Sequence, residues 1–502
     1  VGIGVGFDTE GAGTITICEP QYTNDTLIID DSREGWVDSV QALLDGFFFG
    51  DKVPKFDYSA IRPEGALIKG FGGTSSGHGP LKELHESLIE LYTPKIGEPI
   101  SSVDIVDTEN LIGRCVVAGN VRRSAALAMG RHDDTHYLEM KNDSEKLRHH
   151  RWGSNNSFNA VVGMDYTWHA EQSQKNGEPG YIWLNNARTR GRFKDGERLD
   201  DVNVAGFNPC VEQQLEDAEL CCLVETFPAK HEDLEDYLKT LKIAYLYGKT
   251  ITLSNTHWPE TNAKMLKNRR IGLSQSGVVQ AFNKHGRREM YEWCDKAYGY
   301  VQSLDEEYSN WLCIPKSVRT TSIKPSGTVS LLNGSTPGIH FPEDEYYIRR
   351  IRFSTTSPLL DALKQAGYKT EKDVYSPNTI CVEFPVHEPY FKKGKRDVNM
   401  WEQLEIAAQY QHYWADNSVS ITVTFKPEEA SSIKDALEMY ESRLKAVSFL
   451  RYEETGYEQA PYEPISKETY QKLISKITPI TKLNTEQQGT GSKFCTNDSC
   501  EL

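Results

Sequence analysis

The 502-residue chain carries a formal net charge of −16, with 38% hydrophobic and 25% charged residues, the balance of an ordinary soluble protein. Its acidity argues against general nucleic-acid binding, which draws on excess Lys and Arg, and no run approaches the roughly 18 apolar residues of a membrane helix. Ten cysteines over this length are too sparse for a disulfide scaffold and no basic-then-apolar leader opens the chain, so a cytoplasmic protein is expected, with no membrane partner and with any disulfide catalytic or transient.

In chain order, residues 1–17 (VGIGVGFDTEGAGTITI) read as a Gly-rich extended segment with strand character. The GxGxG here is only superficially a dinucleotide fingerprint, since no strand precedes it and no amphipathic helix follows. Asp31 and Ser32 as cap candidates, with Trp36, Val40, Leu43 and Leu44 at helical spacing, predict a helix over 32–50. A Gly/Ser-rich loop over 61–79 leads into a helix at PLKELHESLIELY. Another helical pattern from 108 breaks at Asn120–Ser124, a short dibasic stretch suited to touching a nucleotide. RWGSNNSF (151–158) and GEPGYIWLNNAR (177–188) look like strand ends running into polar loops. A helix is predicted over 231–249, and the carboxy-terminal third alternates helices with short strands such as NTICVEF and VSITVTF. That alternation favours an α/β protein. The segment 481–502 is polar and reads as a mobile tail.

The stretch 207–225, FNPCVEQQLEDAELCCLVE, concentrates the chemistry. Asn208, Cys210 and Glu212 are spaced by two, so an extended backbone would present an amide, a thiol and a carboxylate on one face. Pro209 lacks an N–H, which favours a sheet edge or a loop tip. Cys221 and Cys222 follow, and alternation leaves only one of them facing Cys210. Any single cysteine here reads equally as a small buried hydrophobe; three thiols with an interleaved Asn and Glu lean toward redox chemistry. Further on, Pro325, Ser326, Gly327 and Thr328 precede an apolar run. A helix beginning there offers N–H groups and hydroxyls to an anion, although an ordinary capped helix start explains the same residues. Cys495 and Cys500 lie on the tail without the further ligands that zinc needs, so no metal site is expected, and thiols that exchange with an internal disulfide fit better.

Taken together, GVGFDTEGAG, SREGW, IRPEGALIKGFGG, VVAGNVRRSA, RWGSNNS, NPCVE with ELCCL, THWPETNA with RRIG, KPSGTVSLL with TPGIHFP, QAPYEP and the terminal Cys pair resemble the adenosylcobalamin-dependent ribonucleotide reductases. The likeness runs over the whole chain and is nearest to their monomeric ribonucleoside-triphosphate branch. It implies a ten-stranded α/β barrel over residues 1–480 with a central finger loop, a dimer-mimicking insertion within 18–60, and a redox tail at 481–502. Cys210 is then the transient thiyl radical that takes the 3′ hydrogen of the ribose. Glu212 is the base on the 3′ hydroxyl, Asn208 bonds the substrate hydroxyls, and Cys221 is one of the two thiols that reduce the substrate. Cys495 and Cys500 re-reduce that pair and are themselves reduced by thioredoxin or a similar dithiol. Pro325, Ser326, Gly327 and Thr328 cradle the phosphates of a ribonucleoside triphosphate. The stretch Gly119, Asn120, Val121, Arg122, Arg123 and Ser124 carries the signal of a deoxynucleotide effector.

Adenosylcobalamin is the implied cofactor, because Ser448 and Phe449 stand where the iron-dependent class needs a pair of redox tyrosines. The family's second reducing cysteine lies before the GVGFD motif, so the chain is expected to lack its first barrel elements, supplied by a missing or separate amino-terminal segment. Two other readings remain at this stage: a non-catalytic nucleotide-binding fragment or half of a split reductase, and an iron-class large subunit.

Overall fold

A computed structural model describes residues 3–66, 68, 74–119, 124–355, 357, 359–374, 379–452 and 458–481. The chain is a mixed α/β protein. Its central sheet has the order Gly4–Asp8, Ala125–Arg131, Ser154–Asn159, Gly180–Ile182, Ala446–Arg451, Thr422–Phe425. The first four strands are parallel, Gly180–Ile182 pairs antiparallel with Ala446–Arg451, and the last two are parallel again. Ala126, Leu127, Ala128 and Met129 are consecutive and all buried, as expected of a parallel strand covered on both faces.

A second parallel pair, Leu223–Thr226 with Gly272–Gln275, is joined toward this sheet by single bridges from Leu273 to Thr321 and from Ile323 to Val419. Among the described residues these strands do not close into a barrel. The smaller sheet of the last third is antiparallel, in the order Lys369–Lys372, Thr379–His387, Tyr346–Ser354, Tyr462–Pro464.

The helix Arg287–Leu312 shows why the main core forms. Met290, Trp293, Cys294, Ala297, Tyr298, Val301, Leu304 and Tyr308 recur at three- and four-residue steps and are all buried, the stripe of an amphipathic helix packed on a core. Beside it the helix Leu234–Ile251 is started by Asp233, whose carboxylate accepts from the Asp236 N–H. The two are tied by a buried ion pair, Lys249 Nζ to Asp305 Oδ1 at 2.7 Å. No described helix is long and apolar enough to cross a membrane.

A separate hydrophobic cluster, including Ile17, Leu43, Phe47, Leu84, Leu88 and Tyr92, gathers the elements between the first two strands of the central sheet. Its first helix runs Arg33–Phe49, where Ser32 Oγ accepts from Gly35 N, and it stops at Gly50, whose φ of 72° is left-handed. His85 is buried in this cluster, 2.8 Å from Tyr58 OH and 3.2 Å from Ser39 Oγ. Burial pushes its pKa down to about 4, so it is neutral when folded. An unfolded histidine binds its proton near pH 6.5, so this contribution is present above that pH and is lost as pH falls toward 4. Between pH 7 and pH 5 it amounts to about 2 kcal/mol. Urea midpoints measured at both pH values should therefore fall less in His85→Gln than in the unmutated protein.

Candidate active site

Two short strands, Gly206–Phe207 and Gln214–Leu215, pair antiparallel in the register Gly206↔Leu215 and Phe207↔Gln214. Residues 208–213 form the tip of this hairpin, where the sequence expected an edge or tip around Pro209. The backbone there is not the extended run that would align Asn208, Cys210 and Glu212 by alternation. Asn208 O accepts from Val211 N at 2.9 Å, and Val211 has a φ of 65°, unusual for a β-branched residue. Asn208 braces the turn: its Oδ1 accepts from Gln213 N at 3.0 Å, and its own N–H donates to Gln213 O at 3.1 Å. A tight turn, rather than a pleated strand, brings these side chains together.

Two glycines of the first strand let the hairpin approach. A Cβ on Gly6 would lie 1.7 Å from Phe207 O, and one on Gly4 would lie 2.9 Å from Pro209 Cγ. The GVGFD motif is therefore a seat for the finger. At its foot, Arg270 is fully buried between two carboxylates: Nη2 and Nη1 donate to Asp201 Oδ1 and Oδ2 at 2.7 and 2.8 Å, and Nε donates to Glu219 Oε1 at 3.0 Å. Asp201 precedes the hairpin and Glu219 follows it, so one guanidinium clamps both ends. Arg270 is thus an internal clamp, paired on both sides.

Glu212 is fully buried, and its Oε1 accepts from Lys324 Nζ at 2.8 Å. Cys210 is half-buried, and its thiol is pushed up from its ordinary pKa by burial and by the Glu212 carboxylate, with Lys324 opposing. Cys221 is an exposed residue whose thiol is pushed up by desolvation and by the same Glu212 charge, with Lys324 opposing and Cys210 adding to it. The two thiols, the carboxylate and the ammonium therefore form one electrostatic group. Cys222 points away: it is buried, with Sγ 3.5 Å from Gly248 O on the neighbouring helix. Cys18 and Cys115 belong to the separate amino-terminal cluster, with Cys18 Sγ near Phe48 O and Cys115 packed on that cluster.

The phosphate-loop candidates differ from their expectation in one respect. The helix after them is a single turn, Val329–Leu332, with no side-chain cap bond from Thr328, so a helix dipole contributes little. Ser326 is buried in a left-handed conformation, φ 36°, and its hydroxyl donates to Glu225, which also accepts from Ser276 Oγ. Gly327 and Thr328 are exposed, and Pro325 is half-buried. Of the effector stretch, Gly119 takes a φ of 82° against Ser76 and Ser124 is half-buried; Asn120, Val121, Arg122 and Arg123 lie outside the described residues. So do Cys495 and Cys500.

Lys324 was missed among the sequence candidates. Its only local signal is its place directly before Pro325, while its partner is 112 residues away. Among the described residues no group of His, Cys, Asp and Glu is arranged to hold a metal ion.

Comparison with known proteins identifies the family. Residues 17–91 match the family model of the B12-dependent ribonucleotide reductase insertion domain, the region of the separate amino-terminal core. A Dictyostelium discoideum protein described as a probable adenosylcobalamin-dependent ribonucleoside-triphosphate reductase is 47% identical over 100% of this chain and 70% of its own length. The Euglena gracilis adenosylcobalamin-dependent ribonucleoside-triphosphate reductase gives the same identity and the same two coverages. A crystal structure of a B12-dependent (class II) ribonucleotide reductase superposes with a TM-score of 0.85 at 34% identity, over 97% of this chain and 78% of that one. On relatives this similar over its whole length, the chain belongs to the adenosylcobalamin-dependent ribonucleoside-triphosphate reductases.

Proposed function

We propose that this protein is an oxidoreductase that converts ribonucleoside triphosphates to 2′-deoxyribonucleoside triphosphates for DNA synthesis, through a thiyl radical at Cys210. The observation that carries the reading is the convergence of Cys210, Cys221, Glu212 and Lys324 at the seated finger tip. The Cys210 sulfur, having lost its hydrogen atom, takes the hydrogen from C3′ while Glu212 accepts the 3′-hydroxyl proton. The 2′ hydroxyl then leaves as water, taking a proton from the reducing thiols. Cys221 and a second cysteine supply two electrons and become a disulfide, their other hydrogen passing to C2′; Glu212 gives its proton back to the 3′ oxygen, and Cys210 returns its hydrogen to C3′.

The donor at Cys210 fits adenosylcobalamin. Giving up a hydrogen atom requires an S–H bond, and burial together with the Glu212 charge favours the protonated thiol. When bound, the cofactor supplies the radical that starts the chemistry, a role no side chain fills alone. Phe449, in the place of a redox tyrosine, is a hydrocarbon of the core, which leaves no phenol relay at that position.

Further parts of the reading follow from the same family. The open strand path is the greater part of a ten-stranded barrel, closed by a strand between Gly4–Asp8 and Leu223–Thr226. The second reducing cysteine is contributed from before the GVGFD motif, and Asn208 presents its amide to the substrate hydroxyls. The substrate phosphates sit at Pro325–Thr328, where they compete with Glu225 for the Ser326 hydroxyl. A deoxynucleotide effector occupies the cavity of about 530 Å³ lined by Arg33, Trp36, Phe48, Arg62 and Ser75, beside the Gly119 loop. Residues 17–91, which take in the stretch 18–60, stand in for a dimer partner there. The tail thiols Cys495 and Cys500 pass electrons from thioredoxin or a similar dithiol. Full-length protein supplied with a ribonucleoside triphosphate and a dithiol is expected to release deoxynucleotide only when adenosylcobalamin is added. Equal product without the cofactor would overturn the proposal.

A further inference from the structure

The phosphate loop and the finger are joined by one side chain. Lys324, the residue directly before Pro325, reaches the finger carboxylate with its Nζ 2.8 Å from Glu212 Oε1. Its backbone is fixed on both sides. Lys324 N donates to Ser274 Oγ at 2.8 Å, and its carbonyl lies so close to Gly338 that a Cβ there would be 2.4 Å from the oxygen. Glu212 is fully buried and, among the described residues, its second oxygen, Oε2, has no hydrogen-bond partner. A buried carboxylate with one oxygen bare is costly unless a charge or a ligand offsets it. The thiols Cys210 and Cys221 also feel the Glu212 charge, and neither offers a positive charge. Lys324 is the cation of this group.

We infer that Lys324 is a positioning residue for the base: its ammonium holds Glu212 Oε1, leaving Oε2 as the oxygen that takes the substrate's 3′-hydroxyl proton. This rests on the reading of Glu212 as the base. It also links two events, because the residue that orients the base begins the loop on which the substrate phosphates are proposed to lie.

Removing the cation penalises the charged form of a buried carboxylate, so Glu212 should protonate at higher pH. In Lys324→Met, kcat is expected to fall about 10²–10⁴-fold, the usual contribution of a positioned general base, with the acid limb of its pH profile moved upward and KM little changed. Lys324→Arg, which keeps the charge, should recover much of the loss. Infrared spectra near neutral pH give a readout independent of turnover. A protonated-carboxyl band is expected in Lys324→Met, absent in the unmutated protein and removed again in Lys324→Met/Glu212→Gln. A fall in kcat with an unshifted acid limb and no new band would reduce Lys324 to a packing role and overturn the inference. A raised KM at unchanged kcat would make it a phosphate contact instead, and would overturn it equally. Full activity in Glu212→Gln would sink the assignment of the base, a different failure that leaves the infrared comparison standing as the test of the ion pair.

Discussion

Replacing Cys210 with Ser should abolish deoxynucleotide formation while leaving the protein folded. A serine hydroxyl holds its hydrogen atom much more tightly than a thiol does, so the step that begins the reaction is lost rather than slowed. The fold should tolerate the change, because Cys210 is half-buried at a hairpin tip, where a near-isosteric swap costs within about 0.5 kcal/mol. The neighbouring cysteines separate the roles further. Cys221→Ser should leave the radical cysteine in place but stop reduction of the substrate, whereas Cys222→Ser should leave turnover largely intact. Cys222 is buried against Gly248 on the far side of its strand, so its replacement alters packing and not the reacting group. Product formation by each variant, with far-ultraviolet circular dichroism as a control for folding, checks all three.

Arg270→Met should destabilise the protein by about 3–5 kcal/mol, the usual cost of stripping one partner from a buried ion cluster. Asp201 would keep a weaker neighbour, since Arg319 Nε lies 3.5 Å from its Oδ2. Glu219, fully buried, would keep only the Glu216 N–H on Oε2, at 2.8 Å. Because Asp201 and Glu219 flank the hairpin, the loss also frees both ends of the finger. Activity should therefore drop even at temperatures where the variant remains folded, since misplacing a reacting group by about 1 Å costs on the order of 10²-fold. Adding Glu219→Gln to Arg270→Met should restore part of the stability by removing the uncompensated charge. Urea midpoints of the single and double variants provide the measurement; equal midpoints in Arg270→Met and the unmutated protein would show that the cluster contributes no net stability.

The local parts of this structure were legible in the sequence because they depend on neighbours along the chain. Cap candidates and helical spacing marked the helix Arg33–Phe49, which Ser32 caps, and Pro209 marked a tip where a hairpin tip is found. Alternation at residues 221–222 left one cysteine for the reacting group, and the family likeness chose Cys221. The alternation of helical and strand patterns in the last third also led to an α/β protein. What was not legible depends on residues far apart. Nothing near Gly6 announces that the finger, some 200 residues later, will lie where its Cβ would be. The Arg270 clamp and the Lys324–Glu212 pair likewise join segments separated by 69 and 112 positions. Spacing by two failed at Asn208, Cys210 and Glu212 for a specific reason: the left-handed Val211 turns the backbone between the second and third of them. The stretch after Thr328 looked like a helix, but it folds into one turn before Asn333 and Gly334 break it.

The most direct test of Cys210 as the hydrogen-abstracting residue uses a ribonucleoside triphosphate deuterated at C3′, given to full-length protein with adenosylcobalamin and a dithiol. The expected result is deoxynucleotide formation slowed by the deuterium, with the label retained at C3′ of the product, and no product from Cys210→Ser. Product from Cys210→Ser at the unmutated rate, or an absence of any isotope effect together with complete loss of the label to water, would contradict it.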